Sequence, residues 1–229
     1  MICLGIDTSQ KRAAVALTAD GETLASRASQ GPKTHSETLL VIMSDVLGEA
    51  RISIEDVGLI AVGLGPGAWT GLRTGVTTAK SLAYALSIPI VGIVSLEAIA
   101  AGAAQEKGRL AVVIDARRGE VYCAIFETDG DGNVRGLGNI FTASPERIGS
   151  LVPGDCTLVG GGTLLLPEEI LHERRVLSEE FGDIDASVLC RLGAERFGRQ
   201  GGDEPASIVP IYVRKSDAEM NWEKKEKGI

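Results

Sequence analysis

The stretch AVGLGPGAWTGLRTG, residues 61–75, has residue types and spacing that suggest chemistry. Five glycines fall between Gly63 and Gly75, where an apolar run gives way to a helical pattern. A glycine-rich turn that opens a helix can cradle phosphate, because backbone N–H groups converge there on an anion. The spacing tells against both standard forms. A P-loop needs a lysine directly after its last glycine, and the nearest lysine here, Lys80, lies well inside the following helix. The dinucleotide fingerprint fits from Gly65 until its last glycine, which would fall at Thr70; the glycine present is Gly71. The glycines need another reason. Pro66 presets one turn dihedral, and Gly67 can take a positive φ.

Two aspartates come next. Asp7 and Asp115 end similar apolar runs, and carboxylates in such places can face each other across a cleft, as in phosphotransferases. The segment DTSQKR after Asp7 lacks the glycine run that wraps a phosphate. Lys11, Arg12, Arg117 and Arg118 could instead pair with the two aspartates in a structural role. The only histidines, His35 and His172, are far apart and suggest no metal site; His35 is expected at a helix start, as a polar or capping residue. Cys3, Cys123, Cys156 and Cys190 form no C-x-x-C pair and read as buried small hydrophobes. No Ser-His-Asp or Cys-His arrangement stands out, which argues against a peptidase.

These residues need elements to hold them. Buried strands are expected at ICLGID, VGLIAVGLG and IPIVGIVS, and a hairpin at AAVALTADGETLASRAS around Asp20-Gly21. A first helix reads from THSETLLVIMSDVLGEA, capped by Thr34 or Ser36. A second reads from TGLRTGVTTAKSLAYALS and stops at Pro89. Alternating strands and helices favour an α/β fold. A similar unit begins again: GIDTSQKRAAVALTADG resembles VIDARRGEVYCAIFETDG, with Asp7 and Asp115 in matching places about 108 residues apart. This is a weak repeat that suggests two related lobes. Later, CTLVGGGTLLL reads as a strand followed by Gly160, Gly161 and Gly162, and a last helix has Val188, Leu189, Leu192 and Phe197 as its core face.

With 229 residues, 44% hydrophobic and 4% aromatic, the chain must fill its core with aliphatic side chains. The formal charge of −8 argues against a direct grip on nucleic acid. No signal segment or long apolar run is present, so a soluble cytoplasmic protein is expected.

The two helices carry unusual surfaces. Gly71, Gly75, Ala79 and Ala83 recur every four residues, beside a stripe of Leu72, Val76, Ala79, Ala83 and Leu86. In the first helix Leu39, Met43, Val46 and Ala50 form one stripe, Leu40 and Leu47 another, and Val41 and Ile42 add a third direction. That is more apolar surface than a helix with one wet side needs. Such surface is either buried within the chain, as part of the second helix's face must be on its own sheet, or meets a partner; the partner is favoured, and Leu39, Met43, Val46, Leu72, Gly75, Val76, Ala79 and Ala83 are expected to meet it.

The chain resembles the bacterial TsaB proteins, also called YeaZ. The matching pieces are IDTS (6–9), HSETLL (35–40), GPGAWTGLRTG (65–75), AKSLA (79–83), DARRGEVY (115–122) and PIYVRKSDAE (210–219). One departure is Ala68-Trp69, where the family more often has Ser-Phe. The resemblance implies an actin-like ATPase (ASKHA) fold, two lobes each built on a mixed five-stranded sheet with helices. Residues 1–105 would form the first lobe, with the partner-binding helices, 106–215 the second, and 216–229 a charged tail that frays. It implies a vestigial nucleotide cleft at Asp7, Thr8, Ser9, Asp115, Gly160, Gly161 and Gly162.

The resemblance also implies a role in making N6-threonylcarbamoyladenosine at position 37 of tRNAs that read ANN codons. In that pathway TsaC makes threonylcarbamoyl-adenylate from threonine, bicarbonate and ATP. TsaD transfers the group, with TsaB as its essential partner and TsaE as an ATPase that joins them. The catalytic relative has metal-binding histidines in a His-x-Glu-Gly-His pattern; here the corresponding stretch is SLEAI, with Ser95 and Ile99 in their places and Glu97 kept. Serine is a poor transition-metal ligand and isoleucine is none. The expectation is thus an accessory subunit with no catalytic or metal residues and no intrinsic cofactor. ATP, ADP or Mg²⁺ would bind only within the complex, and tRNA would be met only indirectly. A TsaD-type paralogue and a TsaE-type ATPase are the expected partners, with a homodimer when the chain is alone. The alternative is a stand-alone actin-fold ATPase or small-molecule kinase.

Overall fold

The structure, a computed structural model, describes residues 1–30, 34–105, 107–177 and 182–214. The strands are β1 Ile2–Asp7, β2 Ala14–Ala19, β3 Glu22–Ala28, β4 Leu59–Gly63, β5 Ile90–Ile93, β6 Lys107–Arg117, β7 Glu120–Asp129, β8 Val134–Gly136, β9 Phe141–Ala143 and β10 Cys156–Val159. The α-helices are α1 His35–Ala50, α2 Trp69–Leu86, α3 Ser95–Gly102, α4 Ile148–Leu151, α5 Glu168–His172 and α6 Ala186–Gln200. No described helix is long and apolar enough to cross a membrane.

The first sheet has the order β3-β2-β1-β4-β5. β1 pairs antiparallel with β2 and parallel with β4. The second has the order β10-β6-β7-β8, with β9 also on β7. There β6 pairs antiparallel with β7 and parallel with β10. The repeat seen in the sequence is thus a hairpin with a parallel neighbour, built twice. Asp20 (φ 50°) and Gly21 (φ 89°) make the two-residue turn that their types predict.

Side chains alternate across each sheet and sort the core into layers. Leu4 and Ile6 of β1 face α1 and α2, whereas Cys3 faces the other way, toward α3 and α6. That middle cluster also takes in Val112, Ile114, Tyr122 and Phe126 of the second sheet. The far face of the second sheet is covered by α4, α5 and their flanking turns. The layers run α1/α2, first sheet, α3/α6, second sheet, α4/α5. All four cysteines are free and buried, as their spacing predicts.

The expected boundary at 106–215 needs correction. Helix α6 lies in that range but packs on β1, β2, β4 and β5 of the first sheet. A Cβ on Gly193 would stand 2.6 Å from the Ala61 side chain, so backbone and sheet are in close contact. Leu189 and Cys190 are fully buried there, with Leu192 beside them, while Val188 and Phe197 are partly buried. The chain then runs back along the first lobe: the Gly92 N–H donates to Asp203 at 2.8 Å, and the Ile211 N–H to the Leu64 carbonyl at 2.7 Å. The repeat marks where the second hairpin starts; burial decides where the last helix belongs. The expected tail, 216–229, lies outside the described residues.

Helix α1 starts at its cap Thr34, whose N–H donates to Glu37 at 2.8 Å. Helix α2 stops before Pro89, at Ser87 in the left-handed region.

Candidate functional site

The glycine loop wraps the turn after β1. The Asp7 carboxylate is only 1% exposed. Its Oδ1 accepts from the Ser9 N–H and the Ser9 hydroxyl, each at 2.7 Å, and its Oδ2 accepts from the Ser95 hydroxyl at 2.7 Å. The Ser95 oxygen in turn accepts from the Gly65 N–H at 2.9 Å. The Thr8 hydroxyl donates to the Gly71 carbonyl at 2.7 Å, and the Ala68 N–H to the Ser9 carbonyl at 2.9 Å. A Cβ on Gly63 would overlap the Asp7 carboxylate, one on Gly67 the Ser9 carbonyl, and ones on Gly71 and Gly75 the carbonyl and hydroxyl of Thr8. Four of the five glycines thus make room for Asp7-Thr8-Ser9. The fifth, Gly65, has φ +91°, so the left-handed residue of the loop is Gly65, while Gly67 does not use that freedom.

This arrangement corrects the expected cleft. Burial pushes the Asp7 carboxyl above the usual range, against the hydrogen bonds from Ser9 and Ser95. Both oxygens are engaged, so Asp7 does not fit as an anchor for Mg²⁺-nucleotide. It also does not face Asp115 across open space. Asp115 is exposed; its Oδ1 accepts the Arg117 N–H at 2.6 Å and its Oδ2 pairs with the Arg117 guanidinium at 3.2 Å. Arg12 pairs with Asp183 at 3.2 Å. Asp7 is thus held by serines where basic partners were expected, and Asp115 is held by Arg117 as expected.

A cleft of about 250 Å³ is lined by Ser9, Lys11, Asp115 and Gly161 among others. Of the seven residues expected in a nucleotide cleft, Ser9, Asp115 and Gly161 line it. Gly160 borders a neighbouring groove with Leu164 and Val176. Asp7, Thr8 and Gly162 are buried away from both. Gly160 (φ +103°) and Gly162 let their turn lie on β6; a Cβ on Gly162 would come within 2.7 Å of the Ile114 backbone.

The two positions expected to stand in place of metal histidines, Ser95 and Ile99, have packing jobs. Ser95 ties Asp7 to the loop, and Ile99 is in the core. Burial raises the Glu97 carboxyl, opposed by Arg196 at 3.5 Å. Among the described residues no group of three His, Cys, Asp or Glu could hold a metal ion. His35 follows the cap, and its Nε2 meets the Gln10 carbonyl at 2.9 Å. Burial pushes the Cys123 thiol up to about 12, so it is not a thiolate at neutral pH.

The eight residues expected on the partner face are all buried within the chain. Leu39, Met43, Val46, Val76, Ala79 and Ala83 form the layer between the helices and the first sheet, and Leu72 and Gly75 are buried beside the Thr8 turn. What lies on Gly75 is the Thr8 side chain of the chain itself. The sheet takes the most regular stripe of each helix, because that stripe buries the most apolar area per turn. What remains outside is Leu40 (63% exposed) and Val41 (57%) on α1 and Tyr84 (89%) on α2. The sequence signal for Leu40 and Val41 is the surplus apolar direction of the first helix. Tyr84 carries none.

A second feature has no sequence signal. Trp69 stacks on Tyr212, with ring centroids 3.8 Å apart and planes at 12°. The Arg73 guanidinium lies 4.9 Å from the Trp69 ring, and its Nε donates to the Tyr212 hydroxyl at 3.1 Å. Trp69 and Arg73 border a groove of about 630 Å³ with Tyr122, Arg117, Arg118, Arg214 and Asp115, and Tyr212 backs the Trp69 ring. They come from three distant parts of the chain, which only folding brings together.

The family model described as TsaD: tRNA N6-adenosine threonylcarbamoyltransferase matches residues 26–158. The tRNA threonylcarbamoyladenosine biosynthesis protein TsaB of Escherichia coli (strain K12) is 31% identical over 235 residues, 98% of each chain. The solved structure of YeaZ from Pseudomonas aeruginosa superposes with a TM-score of 0.77 at 29% identity, covering 92% of this chain and 99% of that one. A ROK hexokinase from Thermus thermophilus superposes with a TM-score of 0.50 at 15% identity, over 85% of this chain and 100% of that one. That likeness is one of fold alone: the architecture is that of the actin-like ATPases.

Proposed function

The chain belongs to the TsaB (YeaZ) family, and from that premise we propose that it serves tRNA threonylcarbamoyladenosine biosynthesis as a non-catalytic scaffold. Its partner is a TsaD-type transferase, which carries the chemistry of N6-threonylcarbamoylation at adenosine 37 of ANN-reading tRNAs; a TsaE-type ATPase joins the complex. The observation that carries this reading is the outward side of α1 and α2. Leu40, Val41 and Tyr84 stand exposed there on two helices that share one side of the first sheet. Exposed apolar residues on two neighbouring helices suit a helix-on-helix docking surface. The same surface would join two copies when the partner is missing. The sealed Asp7 supports a scaffold over a catalyst, because a carboxyl that is 1% exposed and hydrogen-bonded within the chain is out of a substrate's reach.

The test is co-purification with a tagged TsaD-type partner. Val41→Asp and Tyr84→Glu place charges on the docking surface and leave the core untouched. A charge buried at an interface centre costs about 2–4 kcal/mol, so capture falls roughly 30-fold or more. Unchanged capture by both variants sinks the docking surface. Reconstitution of tRNA modification with and without the chain tests the role itself. The alternative, an ATPase or kinase acting alone, is separated by calorimetry with ATP and Mg²⁺: tight binding with turnover by the isolated chain would replace the scaffold.

A further inference from the structure

We infer that the groove beside the Trp69–Tyr212 stack binds RNA directly, through the phosphates and bases of a single-stranded loop. The inference rests on the proposed role in tRNA modification and departs from the expectation, set by net charge, that tRNA is met only indirectly. Net charge averages over the surface, whereas binding responds to the local field. Although the chain carries −8, four guanidinium groups, those of Arg73, Arg117, Arg118 and Arg214, converge on this groove. Arg117 is paired with Asp115 and Arg214 with Glu120, at 3.2 and 2.9 Å. Arg73 sets its charge against two neutral rings, those of Trp69 and Tyr212. The α2 N-terminus opens on the same groove, with no side chain capping it, and adds the positive end of a helix dipole.

Planar aromatic and guanidinium groups around an open groove are the pairing that single-stranded RNA uses, bases on the rings and phosphates on the arginines. An acidic peptide would meet the charges but make no use of the stacked rings. Trp69 and Tyr84 stand 15 residues apart on α2, about 22 Å at 1.5 Å per residue. The Tyr84 end of the docking surface therefore lies well away from the groove.

The experiment is fluorescence anisotropy of the full chain with a labelled anticodon stem-loop RNA, at 50 and 200 mM KCl. Wild type is expected to bind at 50 mM and to weaken as salt rises. The double variant Arg73→Gln, Arg117→Gln is expected to bind at least tenfold more weakly at 50 mM. Its log–log salt slope should flatten by about 0.7 for each arginine lost. Arg73→Lys keeps the charge and should keep the slope. The inference fails if wild type does not bind at 50 mM, or if the double variant, shown folded by its melting curve, binds as wild type does. It also fails if 1 mM ATP displaces the RNA, which would make this a mononucleotide site, or if a polyglutamate peptide does so, which would make it a protein-docking site. The two proposals fail separately. The arginine variants should still be captured by the transferase, and Val41→Asp should still bind the RNA.

Discussion

At the scale of single residues, Asp7 sets the behaviour of the loop. Its carboxyl is raised by burial, so its ionised form is less favourable in the folded chain than in the unfolded one. The sign follows. The stability linked to this group is fully present below the unfolded value, about pH 4, and is lost as pH rises from there through the folded value. Asp7→Asn cannot ionise and lacks this loss. Urea unfolding at pH 4, 5.5 and 7 should show wild type losing stability relative to Asp7→Asn as pH rises; a constant difference would mean that the fold does not disfavour the ionised carboxylate. The asparagine gives up the acceptor of the Ser95 hydroxyl, a hydrogen bond of about 1 kcal/mol that offsets part of the gain at every pH. The chemical types at this site were legible in the sequence, since IDTS and the glycine loop stand out by composition. Their use was not. Whether a glycine receives phosphate or another strand's side chain depends on what lies within about 4 Å, and spacing along one segment does not contain that.

At the scale of elements, α1 and α2 show how a helical pattern can be right about period and wrong about facing. The expected stripes exist, and they face the sheet. Substituting them tests folding and not docking. Val76→Asp or Ala79→Glu buries an unpaired charge in a layer that is at most 4% exposed, which costs about 3–5 kcal/mol. Chemical denaturation should show that loss directly. A melting midpoint within a degree of wild type would mean that these side chains are not in the core. Val41→Asp, one surface away on the same helix pair, should change stability by no more than about 0.5 kcal/mol. The contrast between the two sets separates the inner stripe from the outer one. A periodicity gives the angular position of a stripe about the helix axis. It does not say which of two apolar directions the sheet will take, and the first helix offers more than one.

At the scale of the whole molecule, the two sheets are not independent lobes. The middle cluster joins Cys3, Leu59 and Ile93 of one sheet to Val112, Ile114 and Phe126 of the other through α3 and α6. Because α6 follows the second sheet in sequence but packs on the first, neither lobe completes its core alone. Thermal unfolding should therefore be a single transition, with calorimetric and van't Hoff enthalpies equal. Two resolved transitions would show that the lobes fold separately. The sequence by itself determined the α/β class, the duplicated hairpin, the burial of the cysteines and the family, because these depend on local composition, turn chemistry and the order of motifs. Only the tertiary structure decided that the glycines hold Asp7-Thr8-Ser9, that α6 belongs to the first sheet, and that Leu40, Val41 and Tyr84 face outward. It alone gathered arginines from residues 73 to 214 on one groove. Each of these is a relation between segments far apart in the chain, fixed by which packing buries the most apolar surface.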